Sequence, residues 1–248
     1  MYITRLKKIL LAAAAATLLF VSCSTDRPGG MGLSSGTDMS SLSDGSRGMQ
    51  ENRLTAVEDI YPVIPLDEAF TRPLYDEFIQ DFLSRRSGSP EIAAIIMNET
   101  RSNSLPISLT FSLAWAESRF NPFAVNWNEN SIDRGLFQLN NRSFPALEET
   151  QFFDPVLNAR NGVAYLKYCL ERGENEVTAL AMYNAGPRRV SEKGAPRMTL
   201  DYIHKIMAYR QELEDDFQSE LRGMLVERTT AKSGKKVSLI VDRKGSYQ

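Results

Sequence analysis

The chain has 248 residues, 42% hydrophobic and 24% charged, which suits one globular core with extensions better than two full-sized domains. Its formal net charge is −2. That balance lacks the excess of basic residues that binding to phosphates requires, so it argues against a nucleic-acid partner. The two cysteines and the single histidine show no clustered ligand spacing, and we therefore predict no metal site and no cofactor.

Residues 1–22 have the layout of an export signal peptide. Three basic residues precede the apolar run 9–21, which is shorter than the roughly 20 residues that a transmembrane helix needs. Residues 19–23 also resemble a bacterial lipobox, in which the cysteine is acylated, although Phe20 stands where the usual pattern has Leu. We predict a periplasm-facing lipoprotein anchored through Cys23, and Ser24 after it favours the outer membrane. The alternative is a soluble periplasmic or secreted protein.

After Cys23, the segment up to residue 55 is dominated by Ser, Gly, Asp and Met and has almost no large apolar side chains. Such a composition cannot bury enough surface to fold, so residues 23–55 are predicted to form a flexible linker. Its reach is on the order of 30 Å. Residues 56–89 are predicted to be an N-terminal helical extension, because Leu74, Phe78 and Phe82 recur at helical spacing after Pro73.

Residues 90–218 are predicted to form the main domain. Ser89 is placed to cap its first helix, and Pro90 suits the first helical position. On a later helix, Cys169 shares a stripe with Leu166 and Leu170, which predicts a small core residue rather than a reactive thiol. Apolar spacing predicts three further helices, over residues 158–170, 177–183 and 199–217. The fold class is therefore mainly α.

The segment 105–115 is ambiguous, because apolar and polar residues alternate in it as they do in a strand. Pro106, however, suits a helix start after a Ser104 cap, and Leu109 and Leu113 also share one helical face. We predict a helix.

The C-terminal segment 219–248 is basic, and its alternation of Val237, Leu239 and Val241 after Ser233 and Gly234 is typical of a small hairpin. This tail is either a solvated segment or a contact for anionic glycan or lipid.

Four short motifs occur in order within the main domain. They are Glu-Ser-Arg-Phe at 117–120, Gly-Leu-Phe-Gln at 135–138, Tyr-Asn-Ala-Gly at 183–186, and Thr199 followed by Tyr202. Each is weak alone, since a single glutamate at a helix end is usually a solvated charge. Their order, with 18 residues from Glu117 to Gly135 and 67 from Glu117 to Asn184, resembles the soluble lytic transglycosylase (SLT) domain of the lysozyme superfamily. The resemblance covers about residues 90–215.

This resemblance implies a lysozyme-like helical domain of the goose type, with an Asn-rich loop or a small β element by the cleft. It implies that Glu117 is the single general acid/base of an enzyme that cleaves peptidoglycan glycan strands and leaves 1,6-anhydro ends. Phe137 stands where Met is usual in the family, and Asn126 where some members have serine. The sequence does not identify a protein partner. The residues predicted to bind substrate or to support Glu117 are Ser118, Asn126, Asp133, Phe137, Gln138, Tyr183, Asn184 and Tyr202.

The chemistry asks for a carboxyl group that is still protonated near neutral pH, because a glycosidic oxygen leaves poorly until it is protonated. Burial among apolar groups supplies such a carboxyl by penalising its anion, as in lysozyme. Trp115, Phe120 and Phe123 are close to Glu117 in sequence. Two alternatives remain open: a lysozyme-type hydrolase that uses Asp133 as a second carboxylate, and a catalytically idle glycan-binding scaffold. The 183–186 motif favours the transglycosylase.

Overall fold

The computed structural model of the protein describes residues 63–233. The predicted signal peptide, Cys23, the predicted linker and residues 234–248 lie outside these described residues. Within 63–233, no helix is both long and apolar enough to cross a membrane. The helices are α1 (Leu66–Phe70), α2 (Asp76–Ser87), α3 (Pro90–Asn103), α4 (Ile107–Ser118), α5 (Pro155–Gly173), α6 (Glu176–Ala185), α7 (Pro187–Lys193) and α8 (Arg197–Ser233). The prediction of a mainly α fold is confirmed.

The predicted helix starts and stops are explained by local chemistry. Ser89 Oγ accepts a hydrogen bond of 3.2 Å from the backbone N–H of Ile92, and Pro90 is the first residue of α3. Gly88 ends α2 with a φ of 70°, a left-handed conformation that glycine adopts without strain. Cys169 is fully buried, as predicted, and burial raises the pKa of its thiol to about 12.

The helical prediction for residues 105–115 is confirmed, and its strand-like pattern has a physical cause. Almost the whole of α4 is buried, so its polar residues have no solvent-facing side. Instead, the Ser112 hydroxyl donates to the carbonyl of Ser108 at 2.7 Å, and Thr110 donates to that of Pro106 at 3.0 Å. The proposed Ser104 cap is wrong, because Ser104 has a φ of 56° and closes α3.

One continuous core runs through the described helices. Leu66 of α1 and Phe82 of α2 are fully buried in the same apolar cluster as Leu113 of α4. Phe217 of α8 lies in edge-on contact with Phe82, with the ring centroids 5.5 Å apart. The predicted extension therefore shares one core with the predicted main domain over residues 66–221.

The last helix corrects two predictions. Helix α8 continues to Ser233 rather than ending at residue 217, because Leu221 and Val226 prolong its buried stripe. Gln218 also donates a hydrogen bond to the carbonyl of Ile64. The predicted hairpin would begin at Val226 and turn at Ser233 and Gly234, but residues 226–233 are helical and cannot be its first strand. Val237, Leu239 and Val241 lie outside the described residues.

A small antiparallel sheet follows α4, in the order β1 (Val125–Trp127), β2 (Ile132–Arg134) and β3 (Leu139–Asn140). This is the small β element that was predicted. Gly135 leaves β2 with a φ of 80°, and a Cβ there would lie 2.1 Å from the carbonyl oxygen of Phe152, so only glycine fits. The loop 134–137 is held by the buried amide of Asn158, which donates to the Arg134 carbonyl at 2.9 Å and accepts from the Phe137 N–H at 2.7 Å. Two 3-10 helices, Pro73–Tyr75 and Glu149–Phe153, complete the connections.

Candidate active site

Glu117 lies in the last turn of α4, where the helix leaves the core. Its Oε1 accepts a hydrogen bond of 2.5 Å from the hydroxyl of Tyr202, which lies on α8. Arg119 and Phe120 then adopt left-handed conformations with φ of 56° and 64°, which turn the chain sharply towards the sheet. The glutamate is therefore fixed at the junction of α4, α8 and the sheet, and it keeps partial exposure to solvent.

The surroundings of Glu117 favour its protonated form. Loss of hydration is the largest effect and raises the pKa of Glu117 to about 7, with a smaller contribution from the charge of Asp133. The hydrogen bond from Tyr202 and the charge of Lys205 act in the opposite direction. Near neutral pH the carboxyl group is thus divided between an acid that can donate a proton and a base that can accept one.

Thr199 and Tyr202, one turn apart on α8, connect two motifs. The hydroxyl of Thr199, which is almost fully buried, donates to Oδ1 of Asn184 at 2.8 Å, while Tyr202 donates to Glu117. Asn184 is exposed at the end of α6, and among the described residues no partner is recorded for its Nδ2 group. Thr199 was quoted in the sequence motif without a role, and the structure shows that it orients Asn184.

Tyr183 and Ser118 hold the 135–138 loop from two sides. The Tyr183 hydroxyl donates to the carbonyl of Phe137 at 3.1 Å, and Ser118 Oγ donates to the carbonyl of Leu136 at 2.7 Å. Burial and the nearby charge of Glu117 raise the pKa of Tyr183 well above its usual range, so the hydroxyl keeps its proton. Both residues place the loop beside Glu117.

Phe137 and Ser118 are both buried, and only Ser118 has the supporting role that was predicted for it. The side chain of Phe137 is fully buried against Gly162, where an added Cβ would lie 2.4 Å from that of Phe137. Phe137 is therefore a core residue, and the prediction is wrong for it. Ser118 is 9% exposed and donates to the carbonyls of Leu136 and Ala114, so its role is to hold the helix end.

Gln138 lies in the left-handed region with a φ of 48°. Its Nε2 group donates to the carbonyls of Ala124 and Gly135, at 3.1 and 2.9 Å. It thereby joins the residue before β1 to the residue after β2. Among residues 63–233 no partner is recorded for its Oε1. The amide is half-buried, with an acceptor that remains available to a hydroxyl group.

Asp133 lies on the middle strand of the sheet, opposite Asn126 on β1 and Asn140 on β3. Its carboxylate accepts hydrogen bonds from the amide groups of Asn140, Asn128 and Asn126 at 2.7, 2.8 and 3.3 Å. The neighbouring Arg134 pairs with Glu149 instead. Asp133 is thus held by neutral donors rather than by a cation.

Lys205 is a neighbour of Glu117 that the sequence analysis missed. Its Nζ donates to the carbonyl of Ala116 at 2.9 Å and lies 5.3 Å from the ring centroid of Trp115. Burial and the charge of Arg119 lower the pKa of Lys205. Its position three residues after Tyr202, on the same face of α8, was the available signal.

The aromatic residues near Glu117 in sequence have different environments. Trp115 is half-buried and stacks on Tyr209, with centroids 4.0 Å apart, and the Arg119 guanidinium lies 3.5 Å from its ring centroid. Phe120 is buried in the core. Phe123, in contrast, is 71% exposed.

A helical core, a small antiparallel sheet and a glutamate of raised pKa at the end of a buried helix agree with the lysozyme-like domain that the sequence motifs predicted. Residues 92–206 match the model of the family described as the transglycosylase SLT domain. The chain therefore contains an SLT-type lytic transglycosylase domain, as the motifs predicted. The matched range includes Glu117 and all four motifs. Peptidoglycan cleavage in the cell envelope is the activity of this class of domain.

Proposed function

We propose that this protein is a peptidoglycan lytic transglycosylase with Glu117 as its single general acid/base. It cleaves the β-1,4 bond between N-acetylmuramic acid and N-acetylglucosamine without water. The observation that carries the proposal is the position of Glu117, whose pKa is raised to about 7 by burial. A carboxyl group of ordinary pKa would be ionised at neutral pH and could not supply the first proton.

In the first step, protonated Glu117 donates its proton to the glycosidic oxygen, and the bond from C1 of the muramic acid to that oxygen breaks. The N-acetylglucosamine leaves with a neutral hydroxyl group. The Tyr202 hydroxyl donates a hydrogen bond to Oε1 of Glu117, so Oε2 is the oxygen that carries the proton. The same hydrogen bond then stabilises the carboxylate that forms.

In the second step, the carboxylate of Glu117 accepts the proton of the C6 hydroxyl, whose oxygen attacks C1 of the same sugar. A 1,6-anhydro ring closes and the acid form of Glu117 is restored, so the proton balance is complete and no water is consumed. Lys205 adds a positive charge that favours the carboxylate between the two steps.

Gln138, Tyr183 and Asn184 organise the substrate around this carboxyl group. The free acceptor of Gln138 and the exposed amide of Asn184 suit sugar hydroxyl and acetamido groups. Tyr183 keeps Gln138 in place through its bond to the backbone of the adjacent residue. Asn126, which is exposed beside Asp133, suits a polar group of the next sugar.

Mass spectrometry of digested peptidoglycan tests the proposal, with anhydro ends as the expected product. Glu117→Gln is expected to lose cleavage, whereas Glu174→Gln, in the turn after α5, serves as a control for the loss of one carboxylate. Full lytic activity in Glu117→Gln would show that the acid/base is assigned wrongly. Binding of glycan without cleavage by both the wild type and Glu117→Gln would support the scaffold alternative.

A hydrolase is the second candidate, and one observation favours it. The charge of Asp133 is close enough to contribute to the raised pKa of Glu117, as a second carboxylate of a retaining glycosidase would. In that reaction Asp133 is the nucleophile or the electrostatic stabiliser, and water releases a reducing end. Reducing ends in the digest, together with loss of activity in Asp133→Asn, would establish the hydrolase.

We also propose that the enzyme is exported and anchored to the outer membrane by a lipid on Cys23. The basic and apolar layout of residues 1–22 and the lipobox-like residues 19–23 support this location. Labelling with a radioactive fatty acid tests the anchor. Label in the wild type but not in Cys23→Ala is expected, and an unlabelled wild type recovered in the soluble fraction would contradict it.

A further inference from the structure

The short helix α7 (Pro187–Lys193) carries a concentration of positive charge that is unusual for this acidic chain. Three cationic side chains, Arg188, Arg189 and Lys193, stand against one carboxylate, Glu192. All four line a single pocket of about 570 Å³, which begins at Ala185, one residue after Asn184. The volume is within the range of small-ligand sites.

Not all of these charges are explained by the helix that carries them. Arg188 and Arg189 are in its first turn, where the helix dipole favours acidic residues. Arg189 and Lys193 are four residues apart, a spacing at which like charges repel on a helix surface. Arg188 pairs with Glu192 at 2.9 Å, but among the described residues no acidic partner is recorded for Arg189 or Lys193. Lys193 suits the dipole in the last turn, whereas an external anion would account for Arg189 and would also attract Lys193.

The pocket is connected to the catalytic glutamate through a short chain of contacts. Asn184 is bonded to Thr199, and Tyr202, one turn later on the same helix, is bonded to Glu117. Gly186 has a φ of 87°, and a Cβ at this position would meet nothing within 4 Å, so the backbone between Asn184 and the pocket is open to a ligand. A substrate that occupies Asn184 can therefore extend into the pocket.

We propose that Arg189 and Lys193 bind the carboxylates of the stem peptide that branches from the glycan strand. The proposal rests on the proposed function and identifies the part of the substrate that this pocket takes. Stem peptides carry free carboxylates, and an arginine fork matches a carboxylate in geometry. A pocket of this size accommodates a few residues of an acidic peptide, and Glu192 does not oppose them because Arg188 already neutralises it.

The test compares two soluble glycan fragments of equal length, one with stem peptides and one without, and measures KM with the full chain. In Arg189→Gln/Lys193→Gln, KM for the peptide-bearing fragment is expected to rise about fivefold, as for the loss of two partly exposed charge pairs. KM for the peptide-free fragment should not change. The matched control Arg189→Lys/Lys193→Arg keeps both charges and should stay near the wild-type KM.

The source of the carboxylate is distinguished by the second fragment, because removing the peptide leaves the lactyl carboxylate on the muramic acid. An equal rise in KM for both fragments would assign the cations to the lactyl group and overturn the proposal, as would unchanged KM values for both. If the wild type cleaves neither fragment, the proposed function fails. Calorimetric binding of a synthetic acidic stem peptide then tests the peptide site by itself. Equal affinity in the wild type and the double variant would overturn the proposal that Arg189 and Lys193 bind the peptide.

Discussion

Glu117 and Asp133 are two carboxylates of the same domain with opposite surroundings. Glu117 ends a buried helix and accepts one hydrogen bond from a described side chain, that of Tyr202. The loss of hydration is therefore the largest effect on its pKa. Asp133 lies in a small sheet and accepts hydrogen bonds from three amide groups, which replace water around an anion. An environment that favours the acid form and one that accommodates the anion suit different roles. The proposed single-carboxylate mechanism requires only the first.

The largest expected effect is the difference in kcat between variants that lack one or the other carboxylate. Glu117→Gln should reduce kcat about 10³-fold, since it removes both the proton donor and the base. Asp133→Asn should reduce kcat less than about tenfold, because Asp133 influences the reaction only through the pKa of Glu117. Turnover of soluble glycan fragments measures both values. Comparable losses in the two variants would mean that both carboxylates act in the chemistry.

The stability of the fold should depend on Glu117 in a pH window set by its pKa. Because the pKa is raised to about 7 in the folded state, the native protein binds the extra proton between about pH 4.5 and 7 and loses stability as the pH rises through that range. Glu117→Gln removes this cost. At pH 8 we expect the free energy of unfolding of Glu117→Gln to exceed that of the wild type by about 2 kcal/mol, a value reduced for the partial exposure of the side chain. At pH 4.5 the difference should be much smaller.

Urea unfolding at the two pH values measures that difference. Glu174→Gln, in the turn after α5, provides the control for removal of a carboxylate. If Glu117→Gln gives the same change in stability at pH 4.5 and pH 8, the carboxyl group does not have a raised pKa.

Tyr202→Phe should move the pH dependence of activity and also lower kcat. The hydroxyl favours the ionised form of Glu117, so its removal should raise the pKa of Glu117 and carry the decline of kcat/KM to higher pH. The loss of a hydrogen bond to a charged group should cost about tenfold in kcat at pH 7. Tyr209→Phe is the matched control, since Tyr209 stacks on Trp115 and belongs to the same helix. An unshifted pH profile of kcat/KM in Tyr202→Phe would show that Tyr202 does not influence the pKa of Glu117.

The smallest expected effect is that of Lys205→Met. The positive charge lowers the pKa of Glu117, so its loss should shift the same decline in kcat/KM to higher pH, with a change in kcat of less than about fivefold. Lys167→Met, on α5, is the control. A shift to lower pH would contradict the arrangement of charges around Glu117.

The sequence predicted most of what lies along a single helix and less of what depends on contacts between helices. The Ser89 cap follows from a local pattern and is observed. The helix containing Glu117 is also observed, but it was predicted against a strand-like alternation and partly from the family resemblance. The motifs also led to Tyr202 as a neighbour of Glu117. Phe137 was predicted to take part in the site because its motif does, but the close approach of Gly162 puts its side chain in the core.

Other features could not be recognised from one segment alone. The spacing of Lys205 from Tyr202 indicates that both share one face of α8. That this face meets the end of α4, where Lys205 acts on Glu117, depends on the crossing of the two helices. Asn158 is buried within α5 and supports a loop more than 20 residues earlier in the chain. The continuation of α8 past residue 217 depends on the burial of Leu221 and Val226, which the basic composition of the tail obscured.

Digestion of peptidoglycan in water enriched in oxygen-18 tests the role of Glu117 as the single acid/base most directly. We expect 1,6-anhydro ends without oxygen-18 from the wild type and also from Asp133→Asn, since the C6 hydroxyl rather than water attacks C1. Reducing ends that contain oxygen-18 in the wild-type digest, absent when Asp133 is replaced, would contradict the proposal and show that the two carboxylates work as a pair.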